Sequence, residues 1–390
     1  MLNPVRSTIK ETDIIDVHVH VGGPPNENES MYFWSNKFKK SISFEGIKLV
    51  TKLQASNITA YRYISVVFDQ LKASKYVDKA VLLALDRFYT EDGKENESAT
   101  HLFVANDYLA TLSQIDDEFL FGCSVHPYSP DALERLWKCA KRGAVLCKWL
   151  PSSQGIDPTH PLSVKFYRAL ALLKLPLLMH VGPEVTIPTD LNEDKAALFN
   201  SAAGDYAEQP GDSLLLALGE GAAVIVAHCG IPLGKMFDKD NDTWEGVFKI
   251  LRERYLASPK YKRLFGDLSA FCIPGRYKYI KTILPLAKAH PEKFLYGSDY
   301  PIPVVSMSDG KGLDEIIKAF GWLARRALPQ NDLDKNYQLL KKQFPAGTFS
   351  AAAKALRHPH AEIPSFNSFC KSLGLMKRRW FFWKKPKQKN

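Results

Sequence analysis

Four histidines, a lysine and an aspartate stand where short apolar runs of this 390-residue chain come to an end. His18 and His20 lie in "DIIDVHVH", Lys148 in "VLCKWLP", His180 in "LPLLMHVG", His228 in "VIVAHCG" and Asp299 in "FLYGSDYPIP". Side chains alternate along a strand, so His18 and His20 share one face. Taken singly, each has an ordinary explanation. A histidine after a strand is commonly a hydrogen-bonded core or capping residue, and Asp299 before Tyr-Pro can open a turn. Lys148 is harder to explain away, because an unpaired buried ammonium is costly. One shared metal site accounts for all six placements together, whereas the ordinary explanations must each hold separately.

Such a site requires a fold that brings distant strand ends to one place. Apolar, β-branched runs mark strands near 13–20, 79–85, 119–125, 144–150, 175–181, 222–228, 263–270 and 293–299, with helical patterns between them. Eight parallel strands alternating with helices predict an α/β fold, a (β/α)8 TIM barrel whose carboxyl ends converge on one mouth. A doubly wound sheet is the competing architecture. One helix is well punctuated: Ser129 as cap, Pro130 in the first turn, Leu133, Leu136, Trp137 and Ala140 on one face, and Gly143 as stop. The first strand is followed by a long polar loop including "GGPPNENESMYFWSNKFKKS", of a length that suits a lid. The sixth is followed by the excursion "GIPLGKMFDKDNDTWEG". Beyond the barrel (1–328), "LDKNYQLLKKQF" and "SAAAKALRH" predict accessory C-terminal helices (329–370), and a basic aromatic tail (371–390) closes the chain.

Composition narrows the class. With 45% hydrophobic and 24% charged residues the chain can build a large core. Of its net charge of +10, eight positive charges fall in 371–390, which has no acid, so the body is nearly neutral. That balance gives no support to nucleic-acid binding. No apolar run reaches the roughly 18 residues of a membrane span. The opening residues lack a signal-peptide core, and six scattered cysteines without a CxxC pair suit free thiols, so a cytoplasmic enzyme is expected.

"DVHVH", "LMHVG", "VAHCG" and above all "FLYGSDYP" resemble the metal-dependent hydrolases of the amidohydrolase superfamily. The likeness is to the amidohydrolase-related branch that includes aminocarboxymuconate-semialdehyde decarboxylase, and it spans about residues 13–303. The resemblance implies a barrel holding one or two divalent ions, usually zinc, with His18, His20, His180 and Asp299 as ligands. His228 would lie beside a single ion or bind a second one. Lys148 would be a carbamylated bridge between two ions or, with one ion, a cation for a substrate anion; one ion is favoured. The chemistry suits these residue types: neutral imidazoles and a carboxylate fit zinc with an open position for water. Asp299 would shuttle the water's proton, and His228 would polarise a carbonyl or hold an oxyanion.

The substrate is less constrained. Arg87, past the second strand, and Arg276, past the seventh, could bind a carboxylate, and His126 in "SVHPY" reaches the mouth as a pocket residue. Glu184, four residues beyond His180, and Asp157 in "QGIDP" could touch the substrate or support the ligands, although such residues are more often solvated loop acids. The expected function is hydrolysis of a small amide, ester or lactone. Decarboxylation within the same branch, or an idle scaffold barrel, are the alternatives. Trp380, Phe381, Phe382 and Trp383 among basic residues suggest peripheral contact with an anionic membrane, and a homodimer is left open.

Overall fold

Strands buried on both faces read as nearly continuous apolar runs, and helices must cover their outer side. The computed structural model describes residues 8–22, 31–51, 59–184, 186–201, 212–232, 241–272, 276–301 and 331–375. Eight strands form one parallel sheet in sequence order: β1 Ile15–His20, β2 Lys79–Leu83, β3 Phe119–Cys123, β4 Leu146–Trp149, β5 Leu177–Met179, β6 Val224–Val226, β7 Leu264–Asp267 and β8 Phe294–Leu295. Each lies within one of the eight predicted runs. The sheet curls until its edges meet: Val17 N donates to Tyr296 O (3.1 Å), Asp299 N to His18 O (3.0 Å) and His20 N to Tyr300 O (2.8 Å). Strand order and these bonds decide for the (β/α)8 barrel over a doubly wound sheet.

Two packed layers follow from strand alternation. Ile15, Val17, Val81, Leu83, Leu120, Leu146, Leu178, Ile225 and Leu295 pack together inside the barrel. Val19, Ala80, Leu82, Phe121, Cys147, Met179 and Val226 belong to the larger cluster shared with the helices. In β1 the alternation slips. Asp16 pairs with Ala80 and Val19 with Leu82, so β1 carries one extra residue there. A bulge of this kind re-aims the side chains beyond it. Ile15 and Val17 face inward before it, His18 and His20 after it.

The long loop after β1 contributes Tyr32–Trp34, which pairs antiparallel with Leu102–Val104, and helices Asn36–Lys39, Ile42–Thr51 and Ala60–Lys72. The helix expected to start at Pro130 begins at Ala132, behind Asp131, without a side-chain cap. Ser129 instead donates its hydroxyl to Asp131 Oδ1. Gly143, at φ 93°, ends the helix as expected. The boundary drawn at 328/329 lies outside the described residues, as do 376–390 of the tail.

The C-terminal extension includes helices Asp332–Lys341, Gly347–Ser350, Ala352–Ala355 and Phe366–Ser372. Ala351, Ala352 and Leu356 join the inner cluster. Arg357 N donates to Val145 O (3.0 Å) and its Nη1 to Ala144 O (3.1 Å), just ahead of β4. The extension therefore stoppers the amino end of the barrel, opposite the mouth. That end of a barrel serves stability rather than chemistry. Leu356→Ala is expected to cost about 2–4 kcal/mol, read as a lower urea midpoint, with metal content unchanged.

Candidate metal centre

The carboxyl ends of β1, β4, β5, β6 and β8 bring His18, His20, Lys148, His180, His228 and Asp299 to the floor of one cavity, which Glu184 also lines. Trp34 and Phe38 from the first loop, with Tyr63, form its apolar wall. Four backbones near these strand ends are left-handed: His228 (φ 53°), Cys229 (φ 52°), Ala270 (φ 56°) and Asp299 (φ 62°). Non-glycine residues adopt this region at a cost and concentrate where side chains must be aimed.

Three of the four expected ligands meet. His18 Nε2 lies 3.2 Å from His20 Nε2 and 3.5 Å from Asp299 Oδ1, and His20 Nε2 lies 3.2 Å from the same oxygen. Atoms bonded at about 2.0–2.1 Å to one tetrahedral zinc ion stand about 3.3–3.4 Å apart. The triangle thus matches one face of such a coordination sphere. His180 lines the same cavity, its ring centroid 5.3 Å from that of His228. Among the described residues, two sets of three potential ligands have atoms within 4.8 Å of one another, His18–His20–Asp299 and His18–His228–Asp267. His180 belongs to neither. Its Nδ1 is nevertheless buried with no hydrogen-bond partner, which fits a ligand atom better than a core histidine. The donor set therefore fits a divalent ion.

Asp267, the last residue of β7, organises two of these rings. Its Oδ1 accepts from His228 N (2.8 Å), Ser269 N (3.1 Å) and the Ser269 hydroxyl, and its Oδ2 faces His18 Nδ1 at 2.9 Å. His18 therefore carries its proton on Nδ1 and offers the Nε2 lone pair to the cluster. With its own proton on Asp267, Ser269 Oγ accepts from His228 Nδ1 at 2.7 Å. This network also leaves His228 Nε2 as a lone pair, so the neutral ring is a proton acceptor and not a donor to an oxyanion. Sequence reasoning passed over Asp267. Its signal was an acid closing the buried run "RLFGD".

Burial, reinforced by the Lys148 charge, holds His18 and His180 well below their ordinary value. Burial and the Arg276 charge do the same to His228. All three are neutral at neutral pH, as metal ligands must be. Burial also lowers Lys148 to about 8, with Asp267, Asp299 and Glu184 pulling the other way. Its Nζ stands 3.0 Å from His18 Nε2. For Asp299 burial works upward, but the hydrogen bond to His20 and the surrounding positive field, that of Lys148 included, outweigh it, and the carboxyl is lowered.

Other sequence candidates lie elsewhere. Arg87 pairs with Glu95 (3.3 Å), its guanidinium 4.1 Å from the Phe103 ring centre, and is not among the residues lining the cavity. His126 also stands apart: its Nε2 meets Gln154 O at 2.8 Å and its Nδ1 accepts from Tyr128 N at 3.1 Å. Arg276 is buried close behind the site, with its Nε unpartnered, but does not line the cavity. Asp157 shapes a turn, accepting from Thr159 N (2.8 Å). Glu184 departs from the reading as a solvated acid: its side chain is 7% exposed.

A sequence model of the family described as "Amidohydrolase" matches residues 15–337. No curated protein sequence matches the chain. Among solved structures it is similar to a probable 2-pyrone-4,6-dicarboxylic acid hydrolase from Acinetobacter baumannii (15% identity, TM-score 0.45, covering 84% of this chain and 99% of that one). It is also similar to 5-carboxyvanillate decarboxylase from Sphingomonas paucimobilis (12%, 0.46, 87% and 96%). A third is 2,6-dihydroxybenzoate decarboxylase from Rhizobium (13%, 0.41, 87% and 99%). Likeness at this level assigns no role to any residue.

The placement of His126 has a consequence for stability. Burial pushes its imidazole from 6.5 down to about 4, against the pull of Asp86 and the Gln154 carbonyl. Between pH 6.5 and 4 the unfolded chain takes up this proton and the folded chain does not, so stability falls with pH by about 3 kcal/mol from this group. Urea unfolding from pH 7 to 4 should show the native protein losing that much more than His126→Gln. Parallel curves would contradict the assignment.

Proposed function

The chain belongs to the amidohydrolase family and is an enzyme, and on that premise we propose a hydrolase of a small, carboxylate-bearing amide, ester or lactone that works with one divalent ion, zinc by its donor set. The observation that carries this reading is the triangle of His18 Nε2, His20 Nε2 and Asp299 Oδ1, with edges of 3.2, 3.2 and 3.5 Å. His180 would complete the ligand set through the same cavity.

A divalent ion held by His18, His20, His180 and Asp299 would supply Lewis acidity, acidifying a water and polarising the substrate oxygen. The remaining work belongs to the chain. Asp299, ionised at neutral pH, accepts the proton of the attacking water and returns it to the leaving group. Lys148 keeps a buried ammonium beside His18 and binds the substrate carboxylate or the developing anion. A single-ion site leaves this lysine uncarbamylated. His228 Nε2, an acceptor, receives a donor from substrate or water. Trp34, Phe38 and Tyr63 cover the apolar part of the substrate and limit solvent access.

Among the described residues no helix is long and apolar enough to cross a membrane. We keep the membrane contact of the basic aromatic tail as a proposal, since 376–390 lie outside the described residues. Full-length protein should co-sediment with vesicles containing anionic lipid while a 1–370 truncation stays in solution. Equal sedimentation removes the idea.

Metal analysis tests the central reading. One divalent ion per chain is expected, lost by more than about tenfold in affinity in His20→Ala and unchanged in number in Lys148→Met. Two ions in the native protein with one lost in Lys148→Met would establish the bridged arrangement instead. Assayed on unsaturated and aromatic carboxylates, esters and lactones, the enzyme should release acid without CO2. CO2 release would assign the decarboxylase branch.

A further inference from the structure

Glu184 is the acid outside the proposed ligand set that lines the cavity and touches one of its imidazoles. It follows His180 by four residues, and its buried carboxylate is held at both ends. Oε1 accepts from Thr186 N (2.5 Å) and Ile187 N (3.1 Å), which fixes the side chain against its own loop. Oε2 is left pointing at His180 Nε2, 3.3 Å away. The other ring nitrogen, Nδ1, is buried with no partner.

A carboxylate oxygen and an imidazole nitrogen at this separation need one proton between them. Placed on Nε2, it gives the carboxylate a donor and leaves Nδ1 as a bare lone pair. Placed on Oε2, it leaves His180 with a buried Nδ1–H and no acceptor, which is the costlier choice. The two amide donors on Oε1 pin the side chain so that Oε2 faces Nε2 as an acceptor, which is the first choice. From this geometry we infer that Glu184 is a positioning residue: it holds the His180 proton on Nε2 so that Nδ1 is the ligand atom. The inference rests on the proposed reading that His180 is a metal ligand. It also makes the two arms of the site differ. His18 is fixed through Nδ1 by Asp267 and offers Nε2, whereas His180 is fixed through Nε2 and offers Nδ1.

Glu184→Gln tests this with little change of shape. The glutamine oxygen can keep the two backbone donors, but its amide then turns an N–H toward Nε2 and favours the wrong tautomer. Metal-stripped full-length enzyme, titrated with Co2+ against a competing chelator, should bind about 10–100-fold more weakly in Glu184→Gln. Its cobalt absorption bands should shift. In the His180→Ala background the same substitution should cost nothing further. Nitrogen-15 spectra of the metal-free native enzyme should show the His180 proton on Nε2, a readout that needs no variant. The inference is overturned if Glu184→Gln binds Co2+ within about twofold of native while His180→Ala loses more than tenfold, an outcome that spares the metal reading. A full loss repeated in the His180→Ala background, or a proton found on Nδ1, overturns it equally. Native affinity in His180→Ala removes both the inference and His180's place among the ligands.

Discussion

The mouth of this barrel depends on one buried carboxylate. Asp16 Oδ1 accepts from His18 N at 3.1 Å and from Ser298 N at 2.9 Å, so a single oxygen joins the bulge of β1 to the segment that ends in Asp299. Without the extra residue in β1, strand alternation would continue from Val17 to Val19, and both histidines would face the helices. The bulge puts them inside, and Asp16 anchors it. Burial pushes the Asp16 carboxyl up to about 7, although the Ser298 and His18 bonds work to lower it. Its Oδ2 is buried without a partner. Such a residue stabilises poorly for its type and is explained by what it aligns.

From that alignment the barrel divides along its axis. Toward the amino end, aliphatic layers and the stopper around Leu356 hold the strands by dispersion and exclusion of water, without a charged group of the site. Toward the carboxyl end the same inward positions change to His18, Lys148 and His180, one strand pleat further along. β1, β4 and β5 thus spend their first inward residues on stability and their last on chemistry. The helix-facing cluster is continuous past both regions, so the strained, polar mouth is carried by a core it does not contribute to.

The strands and their histidines were legible because both depend on local patterning. Apolar runs of strand length can be seen in one dimension, and a histidine or aspartate at the end of such a run breaks the pattern visibly. What could not be read needed distances across the fold. Asp16 and Asp267 stand unremarked inside predicted strand runs, and only the closed barrel sets them beneath His18. Glu184 looked like a loop acid, because nothing local tells that Thr186 and Ile187 would turn their amides back onto it. Arg87 and His126 follow strands as the site residues do, yet Glu95 with Phe103 engages the first, and Gln154 with Tyr128 the second. The bulge itself was invisible, since "DVHVH" alternates regularly as text.

Charge bookkeeping at the site links its architecture to the proposed substrate. Around the three neutral imidazoles stand two buried cations, Lys148 and Arg276, and four buried carboxyls, Asp16, Asp267, Asp299 and Glu184. Carboxyls in excess in a low-dielectric cavity attract a cation. A divalent ion would reverse that balance. The proposed anionic substrate, entering beside Lys148 under the aromatic wall, would offset it again, and each partner would then strengthen the binding of the other. The free energy that keeps an ammonium buried in the resting enzyme is in this way recovered when a carboxylate arrives, which a neutral substrate of the same shape could not do.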